Sequence, residues 1–75
     1  MEVLQWVKDH ENEIGVTFAR FNNQFDITMF TYKTKLCNRM TIDYYEFNEM
    51  DSKQIIDILY LMYDELSKKS NQEAN

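Results

Sequence analysis

Residues 51–69, DSKQIIDILYLMYDELSKK, constrain this chain more than any other stretch, because no other segment is both long and apolar enough to form the spine of a core. At about 100° per residue, Ile55, Ile58, Leu59, Met62 and Leu66 fall on one stripe, flanked by Ile56 and Tyr63. That pattern predicts a helix. Asp51 is a good N-cap, and Gln54 three residues on completes a capping box with it. Lys68 and Lys69 put positive charge in the last turn, where the helix dipole favours it. Beyond them SNQEAN, residues 70–75, is polar enough to be expected as a disordered tail.

The rest of the chain must supply what this helix packs on. At 75 residues it makes one domain, expected over 1–69. A chain so short buries only about 60–65% of its unfolded surface, and its core alone is worth a net of about 3–5 kcal/mol. Such domains often need a staple or a partner. Cys37 is the single cysteine, so no internal disulfide can form, and a lone thiol fits a reducing compartment. An inert turn residue is its plainer reading. His10 and Cys37 offer no ligand set at metal spacing, so neither metal nor cofactor is expected. Self-association remains as the way to add stability.

Upstream, EVLQWVKDHEN (residues 2–12) reads as a short helix with Val3, Trp6, Val7 and His10 on one side and Leu4 beside them. Trp6 is its anchor, and His10 reads as a partly buried, hydrogen-bonded side chain. From Ile14 the period changes to two. Strands are predicted at 14–21, 25–33 and 40–47, separated by Asn22-Asn23-Gln24 and by the lysine-rich KTKLCN. The expected architecture is therefore α+β, in the order α-β-β-β-α: a short N-terminal helix, a three-stranded antiparallel meander, and a long C-terminal helix on one sheet face.

Alternation assigns the two faces. Ile14, Val16, Phe18, Ile27, Met29, Met40, Ile42 and Tyr44 collect on the side that should meet the long helix. Thr17, Ala19, Phe21, Thr28, Phe30, Tyr32, Thr41, Asp43, Tyr45 and Phe47 collect on the other. Two helices can cover only one side, so the aromatic rings of the second face are expected to stand open.

Catalytic patterns are missing from the sequence. Gly15 is the only glycine, which excludes a glycine-rich phosphate cradle. Cys37 and His10 lie in separate elements with no supporting acid, and neighbouring acids such as Glu46 with Glu49 or Asp64 with Glu65 read as solvated surface charge. A non-enzymatic protein is expected. Its net charge of −5 disfavours nucleic acid and anionic membranes, which call for basic surfaces. MEVLQWVKDHENE is too polar for a signal peptide and no apolar run reaches membrane-spanning length, so a cytoplasmic location is expected.

Two surfaces remain as binding candidates. One is the open sheet face, centred on Phe30, Tyr32, Tyr45 and Phe47. A second copy of the chain, a protein partner, or stacked bases with Lys33, Lys35 and Arg39 on phosphates could each occupy it. The other is the outer side of the long helix, where Tyr60 and Leu61 sit among Asp57, Asp64 and Glu65 and where Asp64 can pair with Lys68. In general character, short, acidic and rich in Asn, Ile and Tyr, the chain resembles small products of phages that infect low-GC bacteria. Some of those bind and block a host protein. This resemblance rests on composition and assigns no residue a role; it implies host cytoplasm as the setting. The leading expectation is thus a self-associating binding protein, an inhibitor or adaptor acting on a host factor, with Asp43, Glu46, Glu49 and Asp51 imitating phosphate in one version. A nucleic-acid-binding module and a structural or assembly component are the alternatives.

Overall fold

In the computed structural model residues 2–74 are described, the last five by backbone alone. The period-two segments pair as the alternation demands. Strand β1 (Ile14–Phe21) turns back at Asn22, whose left-handed φ of 50° suits an asparagine in a tight hairpin, into β2 (Gln24–Thr31). Strand β3 (Cys37–Asp43) joins the far side of β2, giving an antiparallel sheet in the order β1-β2-β3. Helix α1 (Glu2–Asp9) precedes the sheet, a short helix α2 (Tyr44–Glu49) follows it, and α3 (Ser52–Ala74) closes the chain. The predicted α+β layout is the one observed.

Besides the earlier end of β2, at Thr31 rather than residue 33, and the longer α3, three boundaries differ from expectation. Helix α1 stops at Asp9, and residues 10–13 form a turn held by Glu13 and Ile14 N–H groups donating to His10 O at 3.0 Å. Strand β3 begins at Cys37 rather than residue 40, because the polar residues read as turn find partners there. Asn38 Nδ2 donates to Glu65 Oε2 of α3 (3.0 Å), and Arg39 pairs with Asp26. The loop before it closes early around Thr31, whose N–H donates to Leu36 O (2.9 Å) and whose carbonyl accepts from Lys35 N–H (3.0 Å). Lys35 takes the left-handed φ of 60° that this tight return needs.

The third difference is the largest. Residues 44–47, expected to extend β3, are the first turn of α2. Asp43 is the reason: its carboxylate accepts from Tyr45 N–H (3.0 Å) and Glu46 N–H (3.2 Å), capping a helix where a strand was predicted. At the other end, α3 begins as predicted. Gln54 N–H donates to Asp51 Oδ1 (2.8 Å) and Asp51 N–H to Gln54 Oε1 (2.9 Å), a reciprocal capping box. The α3 backbone runs to Ala74, past the point where a disordered tail was expected; the side chains of 70–74, and Asn75 altogether, lie outside the described residues.

The core forms where the apolar stripes converge. Leu59, Met62 and Leu66 of α3 and Trp6 of α1 meet Ile14, Ile27, Met29 and Ile42 of the sheet, and all eight are buried. These sheet residues belong to the face that alternation assigned to the helices. Trp6 anchors α1 as expected, stacked on His10 (centroids 4.0 Å apart) and met edge-on by Tyr60 and Tyr63. His10 is half-buried with Nδ1 at 2.7 Å from Trp6 O. Tyr63 Oη donates to Glu13 Oε2 at 2.6 Å, tying α3 to the turn after α1. Among the described residues no helix is long and apolar enough to cross a membrane.

Candidate partner-binding surfaces

The open side of the sheet is built by the odd residues of β1 and their partners: Gly15 beside Phe30 and Cys37, Thr17 beside Thr28 and Arg39, Ala19 beside Asp26 and Thr41, Phe21 beside Gln24 and Asp43. No helix covers it, yet it is not the aromatic platform expected. Of the four rings named for it, only Phe30 and Tyr32 are there, in an edge-on pair with centroids 5.3 Å apart. The Phe30 ring lies across Gly15, so that a Cβ at that position would sit 2.6 Å from Phe30 Cε1. Gly15 is therefore the residue that lets this ring fold flat onto the sheet.

The centre of this face is polar and closed on itself. Asp26 is only 5% exposed although no layer lies above it. Arg39 reaches diagonally across to it and Thr41 Oγ1 donates to Asp26 Oδ1 at 2.9 Å. The hydrogen bond from Arg39, then that from Thr41, holds the Asp26 carboxyl below its ordinary 3.8 against the opposing effect of its covering. Arg39, though exposed, is thus engaged with a carboxylate, and Lys33 and Lys35 of the second turn are exposed as well.

Tyr45 and Phe47 are corrected by helix α2. Tyr45 is 67% exposed and meets only Tyr44 edge-on, while Tyr44 lies beneath the Arg20 guanidinium, 3.6 Å from ring centroid to Cζ. Tyr44, expected on the helix-facing side of a longer strand, is instead the first residue of α2. Phe47 turns to the opposite side of the sheet and stacks on Phe25, centroids 3.8 Å apart and rings 14° from parallel. The acids Asp43, Glu46, Glu49 and Asp51 are exposed, with Asp43 and Asp51 also serving as caps. On α3, Asp57, Tyr60, Leu61 and Asp64 are exposed as predicted, and Asp64 pairs with Lys68 at 3.0 Å.

A concave site lies elsewhere, on the helical side at the hairpin end of the sheet. Val3 and Leu4 of α1, Phe18 and Phe25 of the hairpin, Phe47 of α2, and Ser52 and Ile55 of α3 line an open cleft of about 330 Å³. Leu4 is 61% exposed and Phe18 38% exposed, so the apolar wall meets solvent. Phe18 and Phe25 stand 6.0 Å apart, which continues the Phe25–Phe47 stack into a row of three rings. One wall belongs to a segment, residues 43–52, that holds four carboxylates and no basic residue. Sequence reasoning missed this site. Its signal lay in Asp43 and Glu46, spaced as N-cap and N3, a pattern that turns Phe47 away from the sheet's open face.

No protein-family model, curated protein or solved structure matches the chain. Among the described residues no three His, Cys, Asp or Glu side chains gather at metal-holding distance. The exposed Cys37 lies on the open face and His10 against Trp6 within the helical layer.

Proposed function

We propose that this chain is a small non-enzymatic binding domain, and that its partner is a protein segment presenting apolar side chains next to basic ones. The cleft between α1, α2 and the start of α3 carries this reading. Six of its seven lining residues are apolar, it is open to solvent, and the segment supplying Phe47 and Ser52 holds four carboxylates and no basic residue. An apolar anchor would fill the space over Phe18, Phe25 and Phe47, while lysines or arginines beside it would meet Glu46, Glu49 and Asp51. The chain's net charge of −5 works in the same direction, steering cationic partners and repelling nucleic acid. A phage-like composition fits an inhibitor or adaptor that uses this cleft on a host factor.

The test is an NMR titration with a basic amphipathic helical peptide and, beside it, an acidic peptide of the same apolar pattern. The basic peptide is expected to shift Leu4, Phe18, Phe47 and Ile55, more weakly as salt rises. Leu4→Asp, on an exposed position, should remove the effect without unfolding the domain. Equal response to both peptides, or shifts confined to the outer face of α3, would overturn the reading.

A further inference from the structure

The outer edge of β1 supports a second inference, which rests on backbone geometry and shares only Phe18 with the cleft. Tyr32 N–H donates to Glu13 O (3.1 Å), so residue 13 directs its backbone toward β2. In an antiparallel ladder that direction recurs at every second residue, at 15, 17, 19 and 21. Ile14 fits the opposite set, since its N–H turns away from β2 to His10 O. Val16, Phe18 and Arg20 therefore aim their N–H and C=O groups outward, and among the described residues no backbone group elsewhere bonds to them.

We propose that this edge joins two copies of the chain, β1 pairing antiparallel with β1 about a two-fold axis through Phe18. In that register Phe18 faces its own counterpart, and Val16 of each copy faces Arg20 of the other. Each of these is a narrow pair that exchanges two hydrogen bonds, so every outward group of the strand is used. Sliding by two residues one way would need the N–H of Ile14, already committed to His10; sliding the other way would need Asn22, which is in the turn. The strand is self-complementary in one register.

The devices that usually guard an edge are absent here. IGVTFARF contains no Lys, Asp, Glu or Pro, and it pairs with β2 without a bulge. Its one charge, Arg20, is drawn back over its own Tyr44. Residues 17–21 are exposed, including Phe18 on the helical side and Phe21 on the open side, so among the described residues nothing covers this half of the strand. The opposite edge differs: β3 carries Arg39 and Asp43, and its Asn38 is tied to α3. A second copy is the occupant that presents this same free strand in the matching direction.

Light scattering over a concentration series up to hundreds of micromolar, with amide exchange followed by NMR, tests the proposal. Mass should rise from that of one 9.1 kDa chain to that of two. Because each copy carries −5, the dimer should tighten as salt rises, the reverse of basic-peptide binding in the cleft. Amides of Val16, Phe18 and Arg20 should become slow to exchange with concentration, whereas those of Thr17 and Ala19, already in the ladder, should be slow throughout. Thr17 would face Ala19 of the second copy, so T17K/A19K sets lysine against lysine twice and should weaken the dimer by about tenfold or more. T17E/A19K changes the same exposed positions and should restore it. A protein that stays monomeric, a dimer whose Val16, Phe18 and Arg20 amides exchange as in the monomer, or equal behaviour of the two double variants would each overturn the proposal.

Discussion

The two faces of the sheet solve the same problem by different means. On one, Ile14, Ile27, Met29 and Ile42 are buried because α1 and α3 lie over them. On the other no layer exists, and shielding comes from neighbours within the face: Phe30 lies over Gly15, and Arg39 with Thr41 closes over Asp26. The first kind of burial removes large apolar area from water and scales with that area. The second removes little apolar area and depends on individual contacts at the surface of a high-dielectric solvent. A bare face therefore need not be an aromatic platform; here threonines, a glycine and one ion pair make it self-sufficient.

Substitutions on each face should separate the two mechanisms. The largest effect belongs to the covered face. Leu59→Ala, deep between α3 and the sheet, should cost about 2–5 kcal/mol in a denaturant melt, enough to unfold much of so small a domain. A loss no greater than that of a surface leucine would mean that the helical layer does not dominate stability.

The next effect is on the open face. Gly15→Ala should cost about 1 kcal/mol, since the new Cβ displaces the Phe30 ring and that loss exceeds what a less flexible unfolded chain returns. In a Phe30→Ala background the same change should become neutral or stabilising. Additive losses in the double variant would show that the ring is not what Gly15 accommodates.

Asp26 sharpens the comparison through pH. Its carboxyl titrates below the ordinary value when folded, so its contribution is present above about pH 4 and is lost as pH falls through the folded value. Asp26→Asn should flatten the acid limb of the stability profile without altering the fold near neutrality. An unchanged limb would assign acid sensitivity to other carboxylates. The smallest effect is expected at Leu61→Ala on the outer side of α3, within about 0.5 kcal/mol, measured in the same melts as Leu59→Ala.

Much of this architecture was legible because its signals are local. The capping box of Asp51 and Gln54, the stripe through Leu59 and Leu66, and the alternation of 14–31 each involve residues a few positions apart, where backbone geometry alone relates them. The same kind of signal was present at Asp43 and Glu46 but competed with Tyr44, Tyr45 and Phe47, whose aromatic side chains favour a strand. The cap prevailed. By itself the sequence thus determined α1, the three strands and α3 in their order, the core face and the exposed acids, while α2 was taken for the end of β3. Tertiary structure decided where Phe47 lands, that Phe18, Phe25 and Phe47 make one row of rings, and that Asp26 is covered by Arg39 rather than by a helix. Those outcomes depend on which distant side chains meet after the chain turns, and no periodicity within a segment encodes that meeting.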